Sequence, residues 1–183
     1  MTDTTYIAFL RAVNVGGRTV TMERLRALFT ELGLSGVRTY IQSGNVFFHT
    51  SESDRAKLTR RIEEHLEDSL GYAVPTMLRT VGEVERLLAA DPFDGREADP
   101  DTRLVVVFLP EPLPDDYELP QTSPKGDYEI VGADGGAAFV VMHLRGGRMN
   151  TNPGDVLGKA YRGKGTGRFL HTLHKILAAA QKG

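Results

Sequence analysis

Residues 5–12, Thr-Tyr-Ile-Ala-Phe-Leu-Arg-Ala, form a near-continuous apolar run of β-forming residues, which predicts a strand buried on both faces. A turn-like segment, Asn14-Val15-Gly16-Gly17-Arg18, follows it. Met22, Leu25, Leu28, Phe29 and Leu32 then recur at helical spacing behind Thr21, an N-cap residue type, and Gly33 marks the expected stop. Residues 37–42 and 45–50 are β-rich runs separated by Ser43-Gly44, the pattern of a tight hairpin. Alternation along these strands should turn one residue of each pair among Tyr40, Phe47 and Phe48 toward the core. A second helix is expected after Ser51, whose spacing to Asp54 is S-x-x-D, with Leu58, Ile62, Leu66 and Leu70 on its inner face. Residues 72–81 read as a strand that Pro75 makes an edge strand or interrupts. The order βαββαβ is that of a ferredoxin-like unit of about 80 residues.

The second half repeats the first in a degenerate form. Thr80 and Glu83 have capping-box spacing for a short helix with Val84, Leu87 and Leu88 inward, stopped by Pro92. Seven of the nine prolines fall between 92 and 124, so no regular helix is expected to fill that stretch. Within it, residues 103–109 (Arg-Leu-Val-Val-Val-Phe-Leu) predict a buried strand, and residues 127–144 predict a hairpin turning at Asp134-Gly135. The chain ends in a helix carrying Phe169, Leu170, Leu173, Ile176, Leu177 and Ala180 on its apolar side. The expectation is an α+β fold. A ferredoxin-like half over residues 1–91 is followed by a related half over 92–183, packed tightly on the first and ending in a basic helix.

Charge changes this picture. The formal net charge of −2 is a cancellation: residues 1–144 carry 14 Lys+Arg against 23 Asp+Glu, and residues 145–183 carry 8 against the single acid Asp155. The chain has no Cys, which excludes thiolate metal sites, thiol nucleophiles and disulfide scaffolds. Residues 1–13 lack the basic start of a secretory signal, and no apolar run approaches the roughly 20 residues that span a bilayer. A cytoplasmic, soluble protein without membrane association is expected.

Candidate chemistry follows from topology. In a ferredoxin-like unit the loop after the first strand and the turn between the second and third lie at one end of the sheet. That placement makes neighbours of Arg11, Asn14, Gly16 and Gly17 on one segment and Gln42, Ser43, Gly44 and Asn45 on the other. Backbone amides exposed by the glycines, a helix N-terminus, and Arg11 or Arg18 compose a cradle for a phosphate or another anion. The same residues also suit two ordinary turns, the glycines supplying positive φ and the polar side chains satisfying backbone groups.

These two segments resemble the paired signature of a bacterial family, domain of unknown function 1697. The resemblance is sharp over residues 5–48 and again near 166–176. It implies an α+β fold with two related halves, makes the eight residues just named motif positions, and implies no reaction or cofactor. At the C-terminus Thr166, Arg168, Thr172 and Lys175 match the family pattern, while Gly167, Phe169, Leu170 and His171 depart from it. If Thr166 is the N-cap of the last helix, Arg168, Thr172 and Lys175 line one of its polar faces.

Three other patterns bear on function. Gly158, Gly163 and Lys164 have P-loop spacing, but Gly165 stands where Ser or Thr would hold magnesium. His171 and His174 are spaced i, i+3 without a nearby carboxylate, so no metal site is expected. Glu63, Glu64, Glu67 and Asp68 read as a solvated acidic helix face. The leading expectation is a phosphate- or nucleic-acid-recognising binding domain without a cofactor, its oligomeric state left open. The alternatives are a small-molecule enzyme with a polar cleft between the halves, and motifs that only build turns.

Overall fold

The computed structural model describes residues 2–41 and 44–183. The described residues form four α-helices and two antiparallel sheets, an α+β fold. The chain divides into two units, Met1–Glu85 with Ile176–Gly183, and Arg86–Lys175.

In the first unit, β1 (Thr4–Leu10), α1 (Met22–Glu31), β2 (Ser35–Thr39), β3 (Asn45–Thr50), α2 (Arg55–Leu70) and β4 (Thr76–Thr80) build a sheet of order β2-β3-β1-β4. This is the ferredoxin-like arrangement expected from the sequence. Pro75 directly precedes the edge strand β4, where its missing N–H costs no ladder bond.

Helix limits follow local chemistry. Thr21 caps α1 by accepting from the Arg24 N–H at 3.0 Å, and Gly33 leaves it at φ +82°. The second helix starts later than the Ser51 spacing suggests, because Asp54 is its N-cap, accepting from the Lys57 N–H at 3.1 Å. Gly71, at φ +83°, closes it. Thr80 caps α3 (Val81–Ala89) by accepting from the Glu83 N–H, as its capping-box spacing implies.

Both faces of the first sheet are buried. Tyr6, Ala8, Leu10, Val46 and Phe48 join Leu25, Leu28 and Phe29 of α1 and Leu58, Ile62 and Leu66 of α2 in one core. Ile7, Phe9, Phe47 and Met77 alternate to the opposite face and are buried as well. Phe47 and Phe48 are therefore both interior, where one core-facing residue was expected. Registers align Arg38, Phe47, Ile7 and Arg79 in a single row across the four strands. At one end of that row the Arg38 guanidinium lies 5.1 Å from the Phe47 ring centroid and donates to the carbonyls of Ala179 and Ala180 at 3.0 and 3.1 Å. A cation thus satisfies the terminal carbonyls of the last helix.

In the second unit β5 (Thr102–Phe108), β6 (Gln121–Thr122), β7 (Tyr128–Asp134), β8 (Ala137–His143) and β9 (Thr166–Phe169) form a sheet of order β6-β7-β8-β5-β9, followed by α4 (Leu170–Gln181). Setting aside the two-residue β6, the order β7-β8-β5-β9 repeats that of the first sheet. Loops stand in for both crossover helices. Leu113, Tyr117 and Leu119 of the proline-rich loop, with Val156, Leu157 and Tyr161, cover the face carrying Val105, Val107, Ile130 and Val140. Tyr117 packs edge-on against Tyr161 and its hydroxyl donates to the Leu157 carbonyl at 2.8 Å.

One expectation is corrected here. Residues 166–169 are not the start of the last helix; they are a strand, paired with Val105–Phe108 along the edge of β5. Thr166 is not an N-cap, and Arg168 shares no helical face with Thr172 and Lys175. Pairing with β5 satisfies the backbone of these residues and buries Thr166 and Arg168, an outcome that four residues are too short to announce by periodicity.

Two stability predictions follow. Arg38→Ala should lower unfolding free energy by about 1–2 kcal/mol, measured by urea denaturation, since it removes two bonds to helix-terminal carbonyls. Glu63, half-buried on α2, accepts from the Thr76 N–H at 2.9 Å, and burial raises its carboxyl above the ordinary 4.5. A raised folded value makes its contribution full below about pH 4.5 and lost as pH rises through the folded value. Glu63→Gln, which keeps an acceptor and removes the charge, should therefore melt at or above wild type at pH 7 and converge with it in acid. Glu63→Ala should melt lower at both.

Candidate functional site

The antiparallel registers bring the expected segments together. β1 runs beside β3 with Phe9 opposite Asn45, and beside β4 with Leu10 opposite Thr76, so the end of β1 meets the starts of both neighbours. The Leu10 N–H donates to the Gly44 carbonyl and the Arg11 N–H to the Pro75 carbonyl, each at 2.9 Å. The chain leaving β1 is held on both sides.

Beyond this clamp the backbone is repeatedly left-handed, with φ near +60° at Ala12, Asn14 and Gly16 and +81° at Gly17. Asn14 accepts this geometry more readily than most residues. Its Oδ1 accepts from the Val20 N–H at 2.8 Å, closing the loop, while the Arg18 N–H donates to the Val15 carbonyl at 3.1 Å. Val13 is anchored in the core. Gly16, Gly17 and Arg18 are exposed at the loop's tip.

Across from it, Asn45 is fully buried. Its Nδ2 donates to the Tyr40 carbonyl at 3.1 Å, and its own carbonyl accepts from the Tyr40 N–H at 3.1 Å. Gly44 is required twice: φ is +83°, and a Cβ there would stand 3.0 Å from that of Leu10. Gln42 and Ser43 lie outside the described residues.

Sequence reasoning missed two residues at this end. The Arg18 guanidinium lies 4.8 Å from the centroid of the Tyr72 ring, and the buried Tyr72 hydroxyl has no hydrogen-bond partner among the described residues. Glu63, read as part of a solvated face, is instead bonded to the first residue of β4. The topological argument that joined the two glycine segments also brings the approach to β4 here, and that was the available signal.

The C-terminal candidates belong to the second unit. Arg168 Nη1 donates to Thr166 Oγ1 at 2.8 Å and to the Gly167 carbonyl at 2.9 Å, and burial pushes the guanidinium down to about 10. At 7% exposure it is part of the interior of β9. Thr172 is half-buried and Lys175 exposed, both on α4. The P-loop spacing fails on structure, because Thr166 enters a strand where a nucleotide loop would open a helix. Gly163 instead donates to Asp155 at 3.0 Å, and Gly165 is packed against Val107, Phe108 and Leu109. Among the basic residues of the tail, Arg145 pairs with Asp127 of the acidic stretch at 2.8 Å.

Among the described residues no cluster of three or more His, Asp or Glu is placed to hold a metal ion, and no helix is long and apolar enough to cross a membrane.

Comparison with known proteins agrees with this architecture. The conserved bacterial protein SP0830 from Streptococcus pneumoniae superposes with a TM-score of 0.73 at 25% sequence identity, covering 98% of this chain and 99% of its own. A search of curated proteins finds no match. A family model described as protein of unknown function (DUF1697) matches residues 3–139, a span containing both glycine segments and ending before β9. The chain belongs to the DUF1697 family of proteins of unknown function.

Proposed function

We propose that the protein is an anion-recognising binding domain, and that a phosphate group of a nucleotide or nucleic acid sits at the end of the first sheet. The observation that carries this reading is the loop of residues 12–18. Its recurrent left-handed residues are held between Gly44 and Pro75, and it presents Gly16, Gly17 and the Arg18 side chain at the surface. Alternating left-handed residues turn consecutive amides to one side, the geometry of anion-binding nests, and the N-terminal end of α1 follows the loop.

The hydrogen bonds divide the motif by role. Asn14 and Asn45 spend their side chains on backbone groups and act as scaffold, as the turn-building alternative expected of them. Gly16, Gly17 and Arg18 are the members of the motif left at the surface for contact with a ligand. Arg168, within β9, supports the fold of the second unit and does not belong to the recognition surface. The first 50 residues, which carry both glycine segments, hold five Arg against three acids.

A thermal-shift screen of nucleotides, sugar phosphates and short oligonucleotides at two salt concentrations tests the proposal. At least one ligand should raise Tm, with a smaller increment at high salt, and Arg18→Ala should remove that increment. Arg168→Ala should lower the ligand-free Tm, by about 2–4 kcal/mol of stability, while keeping the increment. A blank screen at low salt, or an increment unchanged in Arg18→Ala, would refute the reading.

A further inference from the structure

Several arginines of the first unit are held by oxygen atoms. Arg24 and Arg55 pair with glutamates, and Arg38 and Arg61 donate to backbone carbonyls. The Arg18 guanidinium, exposed at the tip of the glycine loop, makes no ion pair and no hydrogen bond among the described residues. What holds it is a ring: it lies over Tyr72 at 4.8 Å from the centroid, inside the roughly 6 Å reach of a cation–π contact.

That ring is itself fixed. Tyr72 follows Gly71, the left-handed residue that closes α2, and it packs against the first core just before Pro75, whose carbonyl holds the Arg11 amide. The Tyr72 hydroxyl is buried with no hydrogen-bond partner among the described residues, so the ring face alone engages the cation. The choice of partner matters for function. A carboxylate would take up two guanidinium donors and cancel the charge, whereas a ring restrains the long side chain and leaves both the charge and the planar fork of N–H groups available. A side chain ordered before its ligand arrives loses less freedom on binding. We infer that Tyr72 is a positioning residue for the glycine loop: its ring aims Arg18 so that the guanidinium fork meets two oxygens of one phosphate group, beside the Gly16 and Gly17 amides. This rests on the anion recognition proposed above and adds to it the part that sets its affinity from outside the loop.

The test uses NMR on the full chain, first without ligand and then titrated with inorganic phosphate. Without ligand, the Arg18 side-chain protons should resonate upfield of their random-coil positions under the Tyr72 ring current; Tyr72→Phe should keep that displacement and Tyr72→Leu should abolish it. Phosphate should shift the Gly16 and Gly17 amides saturably. Tyr72→Phe should bind it as wild type does, and Tyr72→Leu should bind it about two- to fivefold more weakly, the value of an exposed cation–π contact. Should Tyr72→Leu lose spectral dispersion, Tyr72→Met, of similar length and without a π face, takes its place with the same expectations. Phosphate affinity unchanged in Tyr72→Leu, an equal loss in Tyr72→Phe, or Arg18 protons at random-coil positions in wild type would each overturn the role of Tyr72 and leave the anion reading standing. Gly16 and Gly17 amides that do not respond to phosphate in wild type would overturn both.

Discussion

The first unit depends on β1 being hydrogen-bonded along both edges while buried on both faces. Its partners β3 and β4 run antiparallel to it, so the two places where they begin are brought to the one place where β1 ends. A register slip of one residue would exchange Tyr6, Ala8 and Leu10 with Ile7 and Phe9, and each set fills a different packed face. The pairing is therefore locked by packing on both sides. The position of the glycine loop follows from that lock, because the Leu10 and Arg11 amides donate to opposite neighbours where the loop begins.

The second sheet applies the same plan with fewer helices. In each sheet one row runs from a phenylalanine through a β-branched aliphatic residue to an arginine: Phe47, Ile7 and Arg79 in the first, Phe139, Val106 and Arg168 in the second. Both arginines sit on the strand that ends the βαββαβ order, and burial lowers both guanidinium values. What differs is the cover. α1 and α2 lie on the core face of the first sheet, and aromatic loops lie on the corresponding face of the second. The repeat is carried by strand order and by side-chain rows more than by helices.

Most of this was legible where the sequence is long and periodic. The apolar run of β1, the i+4 leucines of α2 and the Thr21 and Thr80 caps each carry a local signal that packing does not override. The hairpin of residues 127–144 forms as well, but it turns one position later than expected, at Gly135-Gly136 between the paired Asp134 and Ala137. β9 carries none: four residues with a glycine inside them owe their strand to the open edge of β5, which no local pattern records. Arg168 looked like a surface cation because charge is normally solvated, and tertiary pairing buried it. At the candidate site, topology was enough to join the two glycine segments. Tyr72 and Glu63 were missed because a ring under a guanidinium and a carboxylate on a strand amide are contacts between segments far apart in sequence.

The charge distribution now has a narrower meaning. Arg145 of the basic tail is spent on Asp127 and Arg168 is interior, so the tail's formal excess overstates what it offers a ligand. The glycine loop, with fewer cations, has the organised backbone. A crystal structure with tungstate, a phosphate mimic located by its anomalous scattering, tests this account most directly. It predicts tungstate within hydrogen-bond distance of the backbone amides of residues 16 and 17 and of the Arg18 guanidinium. Tungstate found only along the basic segment 159–164, with the glycine loop empty, would contradict it.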